Sequence, residues 1–211
     1  MRENTIAVIG ASKGIGLATV NLALERGWNV KSLSRNPLPI PQHENLTQIL
    51  GSALDKDKVK ETILSTKAIV LTIGHPITFR NVSLFSEATE VLIDTMLGWN
   101  PTAYLLVVTG VGAGESAGHG GFAYDKIVKP LLLRKIYQDK DRQERLVKNS
   151  KLDWTIVRPG FLTDGPLTTV YRCLDQLKNV KAGKISRLDC ADFLERESRA
   201  KAWKGKAVLI G

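Results

Sequence analysis

The sequence predicts an α/β fold: a doubly wound parallel sheet of order 3-2-1-4-5-6 plus an edge strand, with helices on both faces. Three observations carry this. Residues 6–9 are apolar without a break, as a strand covered on both faces requires, and pass through glycines straight into helical periodicity at Leu17, Val20 and Leu24. Continuous apolar runs at 68–73 and 104–109 alternate with helix-periodic segments, the pattern of repeated strand-helix units. A length of 211 residues, 43% hydrophobic and 24% charged, suits one domain with an ordinary core.

The turn after the first strand reads Gly10, Ala11, Ser12, Lys13, Gly14, Ile15, Gly16, a G-x-x-x-G-x-G spacing. Gly10 permits the tight turn, Gly14 lets a pyrophosphate approach the backbone, and Gly16 allows close helix-strand contact. The free N–H groups and the dipole of the helix start then attract phosphate. A plain strand-turn-helix is the simpler alternative; the apolar strand before and the helix after favour a dinucleotide.

Gly27 closes the first helix, and residues 28–34 read as the second strand. At its end stand Ser34 and Arg35. An acidic residue there would accept a ribose hydroxyl, whereas an arginine suits a 2′-phosphate, so NADP(H) is favoured over NAD(H). Pro37, Pro39 and Pro41 make an extended loop before a short third strand at 46–50. A helix over 55–64 leads to a fourth strand at 68–73. Thr72, Ile73 and Gly74 close it, and a glycine there lets a cofactor ribose come near. His75 reads as a loop residue rather than a base.

Val82, Phe85, Ala88, Leu92 and Met96 place a helix over 81–96 with a core face. The fifth strand, 104–109, ends in Thr109 and Gly110, and six glycines fall within 110–121. Strand C-terminal ends are where ligands bind in such sheets, so this segment reads as a substrate loop or lid, with a plain surface loop as the alternative. His119 inside it is a weak candidate. After Pro130 a helix carries Leu132, Ile136, Lys140, Gln143 and Val147 on one side. A lysine in an apolar stripe calls for a partner. Tyr137 lies three residues earlier. A sixth strand, 152–160, ends in Pro159 and Gly160, and a basic tail follows with a helix from Asp189 and a last strand at 207–210. Segments 110–121 and 160–187 would form a small substrate side of a single domain, 1–211.

The net charge of +9 lies wholly in the second half: residues 1–120 hold 10 basic against 10 acidic side chains, and 121–211 hold 20 against 11. The basic residues stand singly, without interleaved aromatics, which argues for solvated helix faces and an anionic cofactor and against nucleic acid. Cys173 and Cys190 have no metal-ligand spacing and read as free thiols, with no metal site. No apolar run reaches membrane-spanning length. Residues 1–4 lead into the first strand without a signal-like segment, the reading of a cytoplasmic chain.

The loop Gly10-Ala-Ser-Lys-Gly14-Ile-Gly16 resembles the signature of the short-chain dehydrogenase/reductase superfamily. Ser34-Arg35, Lys140 four residues before Glu144, Asp153-Trp-Thr-Ile-Val-Arg-Pro-Gly160 and Asp189-Cys-Ala-Asp-Phe193 extend the likeness over nearly the whole chain. They are similar to the atypical branch, the group of flavin reductase/biliverdin-IXβ reductase and nitrogen-metabolite-regulator-type proteins. The resemblance implies an NAD(P)-binding Rossmann fold and gives Lys140 the nicotinamide ribose. It also places Ser52, Ala53 and Leu54 near the adenine, with Ser52 where relatives carry an aspartate. The classical Tyr-x-x-x-Lys departs here: Ile136 holds the tyrosine position, with Tyr137 about 100° further round the helix. The usual strand-five serine is replaced by Thr109 and Gly110. Lys140, Tyr137 and Thr109 are therefore the catalytic candidates without the standard proton-donating triad. Two classes stay open: an NADP(H)-dependent oxidoreductase passing hydride to a flavin, quinone or similar small-molecule acceptor, or an NADP(H)-binding sensor or assembly factor without turnover. A monomer and a homodimer fit equally well.

Overall fold

In the computed structural model, which describes residues 4–211, strands and helices alternate through the first half except between the second and third strands, which a loop joins. Its elements are β1 (Thr5–Ile9), α1 (Gly14–Glu25), β2 (Asn29–Ser34), β3 (Leu46–Leu50), α2 (Lys56–Ile63), β4 (Ala68–Leu71), α3 (Leu84–Trp99) and β5 (Tyr104–Val108). There follow α4 (Arg134–Asn149), β6 (Trp154–Pro159), β7 (Phe161–Thr163), β8 (Cys173–Leu174), β9 (Lys184–Ser186), α5 (Arg187–Ala200) and β10 (Lys206–Ile210). The reading of the chain start rests partly on residues 1–3, which lie outside the described residues.

The sheet runs β3-β2-β1-β4-β5-β6-β10-β8, so the expected 3-2-1-4-5-6 order holds. Every pair is parallel except β10 with β8. Alternate side chains supply two cores, as strand geometry requires. Ile6, Val8, Val70 and Leu106 pack with Val20 of α1 and Phe193 of α5. Ala7, Ile9, Ile69 and Leu105 pack with Ile63 of α2, Met96 of α3 and Val147 of α4. Helices thus cover both faces.

Several boundaries differ from the sequence reading. Beyond β6 there are two strands, not one: β10, parallel because α5 provides the crossover, and the two-residue β8 at the edge, too short to leave an apolar run. A separate pair, β7 with β9, forms over the C-terminal ends. α3 starts at Leu84, not 81, because its first N–H groups are capped from outside: Phe85 N donates to the Asp139 carboxylate of α4 at 2.8 Å. The helix placed after Pro130 begins earlier, as a π-helical segment Tyr124–Leu133 with Pro130 inside it. Its wide turns tolerate the missing proline N–H, and α4 continues from it. α5 starts at Arg187, two residues before Asp189, with Ser186 as its cap. Among the described residues no helix is long and apolar enough to cross a membrane.

Candidate functional site

A cleft of about 880 Å³ opens over the C-terminal ends of β1, β2, β4, β5 and β6. It lies where an open parallel sheet leaves a crevice, and its size is that of a small-molecule site.

Its floor at one end is the loop after β1. Gly10 takes φ +90, and a Cβ there would press on the Thr72 carbonyl of the next strand. A Cβ on Gly16 would fall on the Gly10 carbonyl oxygen, so this glycine lets α1 sit against β1. Gly14, at φ +58, differs: its Cβ position has open space, bounded only by Arg187 Nε at 4.0 Å. Lys13 caps α1 in extended backbone and no side chain takes the first N–H groups among the described residues. A strand-end turn with free donors and empty space at Gly14 fits a pyrophosphate. Ser12, Lys13 and Ile15 line the cleft beside it, while Ala11 is buried underneath with Gly16.

Ser34 and Arg35 line the neighbouring wall. The Ser34 hydroxyl donates to the Asn36 carbonyl at 2.6 Å, which shapes the turn and leaves its oxygen's lone pairs. Arg35 is exposed, with no ion-pair partner among the described residues. Ser52, Ala53 and Leu54 complete this end, and the Ser52 hydroxyl accepts from Leu54 N at 3.1 Å. Thr72, Ile73 and Gly74 line the middle; the Thr72 hydroxyl donates to the Ile9 carbonyl at 3.0 Å, tying β4 to the glycine turn.

The other end is built on α4. Lys140 reaches the Thr109 carbonyl, its ammonium 5.3 Å from the Phe85 ring centre. Burial pushes it down to about 8, with Glu144 pulling the other way. Tyr137 and Lys140 approach the same point beside Gly110: a Cβ there would lie 3.4 Å from the phenol oxygen and 3.6 Å from Nζ. The two do not bond each other. Tyr137 donates to the Val111 carbonyl at 2.8 Å and receives the Tyr124 hydroxyl at 2.7 Å, and burial pushes its phenol far up. Thr109 lines the cleft, and its hydroxyl donates to Glu144 at 2.8 Å. Pro159 and Gly160 close the far side, and Gly160 has no room for a side chain against the Gly183 carbonyl.

The glycine-rich segment after β5 is strapped down rather than free. Buried Arg158 of β6 bonds Glu144 twice, at 2.9 and 2.5 Å, and Glu115 at 2.5 Å. Lys148 adds 2.6 Å to Glu115, and Lys148 and Arg158 together hold that carboxyl down to about 2. Gly114, at φ +50, lies so tightly on this network that a Cβ would meet Arg158 and Glu144. The first half, 110–116, is therefore packed into the site wall, with Gly110 and Val111 lining the cleft. His119 bonds the Val180 carbonyl at 2.8 Å and His75 the Pro76 carbonyl at 2.6 Å, and neither lines the cleft. Among the described residues no cluster of three or more His, Cys, Asp or Glu could hold a metal, and both cysteines are free.

Sequence reasoning missed Leu84 and Tyr124 of the apolar wall; it placed 160–187 on the substrate side without singling out Phe161, Leu162 or the charged pair Arg187 and Asp164 at the mouth. Tyr124 and Phe161 meet edge to face at 5.1 Å. No local pattern marks these, since they converge from four segments. One signal was available: Ser186-x-x-Asp189 is a helix-start spacing, and it would have set Arg187 at the first position of α5.

A family model described as NAD(P)H-binding matches residues 10–197. The chain is similar to a 3-beta-hydroxysteroid dehydrogenase of Mycolicibacterium neoaurum, 31% identical over 99 residues, 42% of this chain and 27% of that protein. It thus spans about a quarter of that relative's length. Among solved structures, an anaerobillin reductase, ChuY, from Escherichia coli O157:H7 superposes with a TM-score of 0.78 at 21% identity, covering 98% of this chain and 96% of that one. A short-chain dehydrogenases/reductase from Veillonella parvula DSM 2008 in complex with NADP gives 0.80 at 17% identity, over 99% and 94%.

Proposed function

Because this chain belongs to the NAD(P)H-binding family, we propose that it is an NADP(H)-dependent oxidoreductase that passes a hydride to a flat conjugated acceptor such as a flavin or quinone. The observation that carries this is the cleft itself. It joins a phosphate-fitted glycine turn to an apolar, aromatic wall, with the nearby hydroxyls of Thr109, Tyr124 and Tyr137 each committed to a protein acceptor. When bound, the dinucleotide supplies the hydride. The work of the chain is to orient it: the glycine turn and α1 hold phosphate, Lys140 holds ribose hydroxyls, and Leu84, Tyr124 and Phe161 shape the acceptor's seat. A conjugated acceptor takes its proton from solvent, so a buried phenol pushed far up is no handicap.

Arg35 underlies the preference for NADP(H), since its planar fork suits a 2′-phosphate. The NADP complex of the Veillonella relative and the reductase named for Escherichia coli agree in kind with this reading. The committed hydroxyls also favour a second reading, a sensor that binds NADP(H) without turnover. Purified protein incubated with NADPH or NADH and a panel of flavins and quinones separates the two. NADPH oxidation is expected, surviving Tyr137→Phe nearly intact, while Arg35→Ala costs NADPH about 1.5–3 kcal/mol of affinity and NADH little. Tight binding without oxidation of NADPH by any acceptor would leave the sensor, and a wild type preferring NADH would overturn the role of Arg35.

A further inference from the structure

We propose that Arg187 is a pyrophosphate-binding residue, and that it exchanges its ion pair with Asp164 for the cofactor's phosphates. This rests on the reading of the cleft as a dinucleotide site.

The position comes first. Arg187 opens α5, on the far side of the fold from the glycine turn in sequence, yet its Nε is the atom bounding the free space at Gly14. Both Arg187 and Asp164 line the cleft. The start of α5 is fixed: Ser186 receives Asp189 N at 2.9 Å, and the Asp189 carboxylate accepts from Thr168 N and Thr169 N, each at 2.8 Å. The backbone of Arg187 is therefore anchored while its side chain reaches over the glycine turn.

The partner is weakly held. Arg187 Nη1 meets Asp164 Oδ1 at 2.5 Å, but the Asp164 side chain is 88% exposed and that of arginine 35%. An exposed single pair contributes little, because water and salt screen it. A pyrophosphate presents two charges and several acceptor oxygens beside the same guanidinium, next to the positive end of α1. The exchange therefore runs toward phosphate.

The test is calorimetric titration of NADPH and of 2′-AMP, which lacks the pyrophosphate, into wild type, Arg187→Ala, Arg187→Lys and Asp164→Asn. Arg187→Ala should raise the NADPH dissociation constant about ten- to a hundred-fold, Arg187→Lys less, and 2′-AMP binding should be unchanged in both. Asp164→Asn should tighten NADPH by about three-fold, the scale of one exposed pair. Unchanged NADPH affinity in Arg187→Ala, or an equal loss of 2′-AMP, overturns the assignment. Unchanged or weaker affinity in Asp164→Asn overturns the exchange. Failure of the wild type to bind NADPH would instead overturn the parent reading of the cleft.

Discussion

Two glycine-rich segments follow two central strands of the same sheet, and they do opposite things. In the turn after β1, Gly10 and Gly16 let backbone pack on backbone, and Gly14 leaves space open to a ligand. In the segment after β5, Gly114 has no such space: it lies on a buried guanidinium and carboxylate, and Glu115 beside it is bonded to Arg158 and Lys148. Absence of a side chain leaves open space in one place and makes room for a salt-bridge network in the other. The comparison teaches that a run of glycines at a strand end locates a functional edge without saying whether it moves.

The largest expected effect falls on the closed segment. Removing Arg158 takes two bonds from the Glu144 carboxylate, 1% exposed, and leaves it the Thr109 hydroxyl and Lys148 Nζ at 3.8 Å, so Arg158→Ala should lower unfolding free energy by about 3 kcal/mol, the low end for a broken buried pair. Urea titration measures it. The paired change Arg158→Met with Glu144→Leu should cost much less, since it leaves no unpaired buried charge. An Arg158→Ala protein as stable as wild type would mean that the network does not hold the segment.

A smaller effect sharpens the boundary between the two regions at Lys140. Its folded value is pushed down to about 8 from an ordinary 10.5. Across that window the unfolded chain binds the extra proton, so this group makes stability rise with pH. Ribose binding needs the ammonium and should run the other way. NADPH affinity is expected to fall as pH rises through about 8, with Lys140→Ala about ten-fold weaker and flat in pH. A profile that is unchanged in Lys140→Ala would remove the lysine from the cofactor site.

The contrast also explains what was legible in the sequence. The open turn is local: strand, glycines and helix start are contiguous, so residues 10–16 declare their geometry and the order of the first six strands follows. Arg35 was singled out because it stands at the end of the second strand, and Lys140 because it interrupts an apolar stripe four residues before Glu144; both line the cleft. The closed segment was not, because Gly114 is explained by Arg158 and Glu144, which lie 44 and 30 residues beyond it and carry nothing in the sequence that joins them to it. The start of α3 was missed for the same reason, its cap being Asp139 on another helix. Arg187 and the aromatic wall exist only once distant segments have folded together.

The central claim, that one glycine segment serves a ligand and the other serves packing, is tested most directly by measuring both NADPH affinity and urea stability in Gly14→Ala and Gly114→Ala. Both residues have positive φ, so each alanine carries a backbone cost of about 1–2 kcal/mol. Gly14→Ala should stay within that cost in stability while losing about ten-fold or more in affinity, as a blocked approach to phosphate implies. Gly114→Ala should lose a further ~1–3 kcal/mol from overpacking and keep its affinity within about a factor of two. The reverse pattern, with affinity lost at Gly114 and kept at Gly14, would contradict the account.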